Sequence, residues 1–166
     1  MSISFQQIHQ ISIDAAWYTQ PFKGFCLDSR KLEAGQIFIA LNSYSQPEKT
    51  RLFAENALNA GALAVISETD LGLANEWVCP EVRYLMGEWQ KQYLQVVDPV
   101  TALRGIAVTG TNGKTTISRL IAELISSQGQ GCAVMGTTGN GILPNLTPST
   151  HTTLDALQLQ NALHDY

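Results

Sequence analysis

Gly105-Ile-Ala-Val-Thr-Gly-Thr-Asn-Gly-Lys-Thr-Thr-Ile-Ser-Arg-Leu-Ile-Ala-Glu-Leu-Ile125 is the stretch that decides the fold. It predicts a short apolar strand over Gly105 to Val108, a glycine loop, and a helix from about Thr115 to Gln128. Ile117, Leu120, Ile121, Leu124 and Ile125 recur at helical spacing and mark one face. Gly129 and Gly131 end that helix. A glycine loop between strand and helix is a place for phosphate. Gly110 and Gly113 let backbone N–H groups turn inward, and the helix start adds the positive end of its dipole. Lys114 can bridge β- and γ-phosphates, and the Thr115 hydroxyl can ligate Mg²⁺. The candidate ATP site is therefore Gly110, Thr111, Asn112, Gly113, Lys114, Thr115 and Thr116, with Lys114 as the candidate catalytic group. Val108 stands where the strict G-x-x-x-x-G-K-[ST] pattern has its first glycine.

Downstream, Cys132-Ala-Val-Met135 reads as the next strand. Leu154 to Leu163 reads as a helix, with Thr152 as its cap and Asp155 as the cap's partner. Upstream, a boundary near Asp98-Pro99 separates a first block, residues 1–98, from the second, 99–166. The first block alternates strands with helices. Ser4 and Gln7 have capping-box spacing before Phe5, Ile8 and Ile11. Phe25-Cys-Leu27, Ile37-Phe-Ile-Ala-Leu41 and Leu63-Ala-Val-Ile66 read as strands. Leu52 to Ala60 reads as a helix with Leu52, Phe53, Ala57 and Leu58 toward the core, closed by Gly61 in a left-handed cap. Val82 to Val97 reads as another, with Leu85, Trp89 and Leu94 inward. This alternation predicts an α/β fold, its second block built on a parallel sheet.

Composition narrows the function. The 166 residues carry 10 Lys and Arg against 14 Asp and Glu, a net charge of -4. A broad basic face for nucleic acid is not expected. No apolar run approaches the roughly 18 residues of a membrane span. Met1-Ser-Ile-Ser-Phe-Gln-Gln lacks the basic-then-apolar order of a secretory signal, so a cytoplasmic location is expected. Cys26, Cys79 and Cys132 are far apart and read as reduced, buried thiols.

Thr109-Gly-Thr-Asn-Gly-Lys-Thr-Thr116 resembles the ATP loop of the Mur ligase family, which builds the peptide stem of the bacterial cell-wall precursor. Leu27-Asp-Ser-Arg30, followed by Gly35-Gln-Ile-Phe-Ile-Ala-Leu41, resembles the family's N-terminal uridine-nucleotide domain. Met135-Gly-Thr-Thr-Gly-Asn-Gly141 and Thr152-Thr153 resemble the members that add the third residue of the stem. The resemblance implies a uridine-nucleotide-binding α/β domain followed by the start of a phosphate-loop ATPase domain. It implies an ATP- and Mg²⁺-dependent ligase acting on UDP-N-acetylmuramoyl-L-alanyl-D-glutamate through an acyl phosphate, with diaminopimelate favoured as the incoming diamino acid. It places Leu27, Ser29, Tyr44, Ser45, Gln46, His151, Thr152 and Thr153 on the UDP substrate. His151 stands where relatives often have Asn, and Asn42 to Thr50 departs from their usual glycine-rich loop. Later metal ligands and the amine-binding domain are expected in the remaining ligase domains of a longer protein, so these residues alone are expected to have no turnover. Competing readings are the sister ligase adding D-alanyl-D-alanine, folylpolyglutamate synthase, and a non-catalytic nucleotide-binding module.

Overall fold

The computed structural model describes residues 3–9, 12–43, 45–99, 103–148 and 154–166. The chain divides into two compact units, Met1–Val100 and Thr101–Tyr166.

In the first unit β1 (Ile3–Ser4) pairs antiparallel with β2 (Pro21–Phe22), and α1 (Phe5–Ile8) follows β1 directly. The expected capping partners meet: the Ser4 N–H donates to Gln7 Oε1 at 2.9 Å. Phe5 and Ile8 are buried, as their spacing predicts, while Ile11 lies outside the described residues. A four-stranded parallel sheet follows, in the order β3 (Phe25–Cys26), β4 (Ile37–Ala40), β5 (Ala64–Ser67), β6 (Glu76–Val78). Every residue of β4 and β5 is buried. A parallel sheet is covered on both faces, which is why these strands read as unbroken apolar runs.

The helix α2 (Pro47–Asn59) begins five residues before the predicted start at Leu52. Pro47 sits in its first turn, where a missing N–H costs nothing. Its buried side is Thr50, Ala54 and Ala57. Leu52 and Phe53, expected inward, are 50% and 45% exposed. The small side chains let the helix sit close over Phe38, Ala40 and Val65, with Leu58 packed at the margin. Gly61 takes the left-handed conformation expected of it (φ 97°), and the Ala62 N–H bonds back to the Ala57 carbonyl at 2.9 Å. The last helix of the unit, α3 (Val82–Val97), matches its predicted span and buries Val82, Met86, Trp89 and Gln90; Leu85 and Leu94, expected inward, are half-buried. It packs on α1 and β1 through an aromatic cluster centred on Phe5, whose ring meets Trp89 edge-on at 5.1 Å.

In the second unit α4 (Lys114–Ser127) is followed by β7 (Ala133–Gly136), β8 (Gly139–Ile142) and α5 (Ala156–Asp165). Gly129 has φ 79° after the end of α4, in keeping with its predicted role as a stop. The strands β7 and β8 form an antiparallel hairpin, so the parallel sheet of this α/β chain lies in the first unit. Gly105 to Val108 is not the buried strand the sequence predicts. Residues 103–109 have no assigned strand, and Ile106 is 62% exposed. A strand needs a hydrogen-bonding neighbour, and among the described residues none lies alongside. The apolar side of α4 shares this condition: Ile117, Leu120 and Leu124 are exposed and only Ala122 is buried. Asp155 itself caps α5, accepting the Gln158 N–H at 2.8 Å. This corrects the reading of Asp155 as partner to a Thr152 cap, and Thr152 lies outside the described residues. The hairpin is closed from its free side by Asn140 and Thr147, which exchange two N–H···O bonds of 2.9 Å.

Candidate functional site

The glycine loop is exposed from Gly110 to Thr116. Gly113 is the N-cap of α4, with φ 78° and ψ -5°. An L side chain there would be strained, although open space surrounds its Cβ position. The glycine is required by the backbone turn alone. It brings no side-chain acceptor to the first turn of α4, so no cap side chain takes up the N–H groups of that turn. Lys114 Nζ folds back across the loop and donates to the Gly110 carbonyl at 2.5 Å and the Thr111 carbonyl at 3.4 Å. A cation is thus held over the loop's own carbonyls, next to the helix start. The Thr115 hydroxyl lies 3.2 Å from that of Thr137, in the turn between β7 and β8. This tie links the Gly-Lys-Thr loop to the Gly136-Thr-Thr-Gly139 turn, the two stretches singled out in sequence.

Leu27, Ser29, Ser45 and Gln46, four of the residues picked for the UDP substrate, fall at the other candidate place, the C-terminal edge of the parallel sheet. Ligands of open α/β sheets bind outside this edge. Leu27 follows β3, and the segment from Asn42 to Gln46 follows the adjacent β4. A cavity of about 170 Å³ opens here, lined by Leu27, Phe38 to Leu41, Thr50 and Phe53. Phe53 carries no sequence signal beyond the helix pattern, and Thr50 lies before the predicted start of that helix. Thr50 is buried and Phe53 is 45% exposed, its ring on the cavity wall.

Ser29 sits in a tight turn after Leu27. Asp28 braces that turn: its carboxylate accepts the Arg30 N–H at 3.1 Å and the guanidinium at 2.9 and 2.8 Å. The Arg30 guanidinium holds the Asp28 carboxyl down at a pKa of about 2. Arg30 and Asp28 thus form an exposed ion pair within the turn. Ser45 Oγ lies 3.3 Å from Ser43 Oγ, and the Gln46 N–H donates to Ser43 Oγ at 3.2 Å. Gln46 is the N-cap residue of α2. Tyr44, His151, Thr152 and Thr153 lie outside the described residues.

Sequence reading misses one cluster at this edge. Glu68 follows β5, and Arg83 stands in the first turn of α3. Arg83 Nε and Nη2 reach the Glu68 carboxylate at 2.5 and 3.0 Å. The only hint in sequence is an acidic residue directly after a buried strand. Among the described residues no group of three or more His, Cys, Asp and Glu could hold a metal ion. No helix there is long and apolar enough to cross a membrane. The three cysteines are free, and burial raises the pKa of Cys26 and Cys79.

A glycine loop feeding a helix N-terminus, on a chain that also carries a parallel sheet, makes this an α/β protein with a loop of phosphate-binding type. Residues 108–166 match the Mur ligase middle domain. UDP-N-acetylmuramoyl-L-alanyl-D-glutamate–2,6-diaminopimelate ligase of Haemophilus influenzae (strain 86-028NP) is 38% identical over 148 residues, covering 84% of this chain and 30% of that protein. The enzyme of the same name from Vibrio cholerae is 38% identical over 149 residues, covering 84% of this chain and 29% of that protein. A solved structure of a ligase with this name is 80% identical, with a TM-score of 0.95, covering 100% of this chain and 34% of that one. The MurF ligase from Thermotoga maritima in complex with ADP shares the fold at 22% identity and a TM-score of 0.55, over 87% of this chain and 29% of that one. The chain belongs to the Mur ligase family. It spans about 30% of the length of the curated relatives it matches.

Proposed function

We propose that this chain supplies the nucleotide-binding part of an ATP-dependent, cytoplasmic ligase of peptidoglycan precursor synthesis. The reaction joins meso-2,6-diaminopimelate to the D-glutamate carboxyl of UDP-N-acetylmuramoyl-L-alanyl-D-glutamate. The carboxylate takes the γ-phosphoryl group of ATP and ADP leaves. The amine then attacks the acyl carbon, phosphate departs, and the amide forms with loss of a proton. The observation that carries this reading is the left-handed Gly113 opening α4 beside Lys114 and Thr115, in a chain 80% identical to a ligase of that name.

Each residue then has a role. The N–H groups at the start of α4 hold phosphate oxygens, and Lys114 exchanges its loop carbonyls for the β- and γ-phosphates. Thr111, Asn112 and Thr116 line the same exposed loop. Thr115 presents a hydroxyl at the first turn, a hard oxygen suited to Mg²⁺. Mg²⁺ when bound neutralises charge on the phosphates. Leu27 offers an apolar wall to the uracil side, while Ser29, Ser45 and Gln46 offer hydrogen bonds at the sheet edge. Tyr44, His151, Thr152 and Thr153 complete the substrate contacts in this proposal. The remaining ligase domains of a longer protein would bind the diamino acid.

The test is calorimetric titration of the chain with UDP-N-acetylmuramoyl-L-alanyl-D-glutamate, with UMP as control, and separately with ATP and Mg²⁺. Saturable heat with the muramoyl nucleotide beyond that of UMP, and ATP binding lost on Lys114→Ala, are expected. ATP binding that survives Lys114→Ala would remove the loop from this account.

A further inference from the structure

The segment from Asn42 to Gln46, which this reading places against the UDP substrate, is held at its start by a charged pair from two other elements. Asn42 follows β4. Its N–H donates to Glu68 Oε2 at 2.5 Å, and its carbonyl accepts from Arg83 Nη2 at 2.9 Å. The same Arg83 nitrogen reaches Glu68 Oε2 at 3.0 Å, and Nε reaches Oε1 at 2.5 Å. Both backbone polar groups of one residue are thereby fixed by a single ion pair. The Asn42 side chain adds a third tie, accepting from Thr69 Oγ1 at 3.2 Å. Further along, the Ser43 N–H bonds to Thr50 Oγ1 at 3.3 Å, and Ser43 Oγ accepts from Gln46.

We propose that Glu68 and Arg83 form a positioning latch that sets the substrate-facing loop, so that Ser45 and Gln46 meet the UDP moiety in one geometry. The proposal rests on the ligase reading above. Arg83 is 38% exposed and Glu68 13%, so the pair sits at the rim of the sheet. Rim ion pairs contribute little to folding. Their bonds to a loop backbone act differently, because they remove loop freedom that binding would otherwise have to remove. Arginine suits such a latch because its fork reaches the carboxylate and the Asn42 carbonyl together, which a lysine ammonium does with poorer geometry.

The experiment titrates the full 166-residue chain with UDP-N-acetylmuramoyl-L-alanyl-D-glutamate and, on the same samples, with ATP and Mg²⁺. Arg83→Met and Glu68→Gln should weaken the muramoyl nucleotide about tenfold, the size of one lost charge-assisted hydrogen bond. ATP affinity should be unchanged. The Ser45→Ala/Gln46→Ala double variant should lose a similar factor, and combining it with Arg83→Met should add nothing further. Arg83→Lys should recover part of the loss. Independent, multiplying losses, or unchanged affinity in Arg83→Met and Glu68→Gln, would overturn the latch and leave the ligase reading standing. A wild-type chain that binds ATP and ignores the muramoyl nucleotide would overturn the substrate reading, and the latch with it.

Discussion

The hydroxyl oxygens of Thr115 and Thr137 lie 3.2 Å apart, so the first turn of α4 and the β7–β8 turn share a contact. Either hydroxyl can donate, and each keeps a lone pair for another partner. Thr137 therefore orients the hydroxyl proposed to face Mg²⁺. Thr137→Val is expected to weaken binding of ATP with Mg²⁺ by about threefold to tenfold, the cost of one ordinary hydrogen bond. Binding of ATP in excess EDTA should change little. Equal losses with and without the cation would show that Thr137 supports the loop and not the cation.

Gly113 tests the loop's backbone separately from its side chains. A Cβ there meets nothing within 4 Å, so only the positive φ opposes it. Gly113→Ala is expected to cost about 1–2 kcal/mol in the local conformation. ATP affinity, followed by titration, should fall more than thermal stability does. Wild-type affinity in Gly113→Ala would mean that another conformation binds the phosphates.

Gly141 is constrained by its neighbours as well. A Cβ at Gly141 would stand 2.5 Å from the Asn145 carbonyl oxygen, at φ 146°. Nothing lies within 4 Å of one at Gly136, on the same hairpin. Gly141→Ala should lower protection of the β7–β8 amides by about 1–3 kcal/mol, the range for overpacked sites. Gly136→Ala should leave them nearly unchanged. Equal protection in both variants would contradict the close approach of Asn145.

The central strands β4 and β5 and the span of α3 were legible, whereas β6 was not, and of the α3 residues read as inward only Trp89 is buried. Ile37 to Ala40 and Ala64 to Ser67 are buried along their whole length. The helix α2 was placed correctly in kind but its inner side was misjudged. Ala57 was read as inward and is buried, but pattern reading favours large apolar groups and missed Thr50 and Ala54, while Phe53 borders the cavity. Gly105 to Val108 failed for another reason. Its apolar residues record a preference for burial, and a strand also needs a partner's N–H and C=O groups. The turn that opens α4 was legible from Gly113 because few residue types suit a left-handed N-cap. The latch was not, because Asn42, Glu68 and Arg83 are brought together by the sheet order and have no shared motif.

Acid should loosen the first unit in two separate windows. His9 is 8% exposed, stacked on Phe5 at 5.4 Å and 4.9 Å from Trp77. Its Nε2 has no hydrogen-bond partner among the described residues. Burial lowers its pKa, so the folded ring is neutral where the unfolded ring, with a pKa of about 6.5, takes a proton. Between the folded value and 6.5 the unfolded state binds more protons, so stability rises with pH and is lost as pH falls below about 6.5. The slope from this one group cannot exceed about 1.4 kcal/mol per pH unit. Asp28 acts lower: its folded pKa near 2 contributes stability that is present above about 4 and lost as pH falls through the folded value. Urea midpoints read by tryptophan fluorescence should therefore drop between pH 7 and 5, and His9→Phe should flatten that drop while keeping the ring contacts. Asp28→Asn should leave the pH 7-to-5 drop intact. An undiminished pH 7-to-5 drop in His9→Phe would assign the effect to another group.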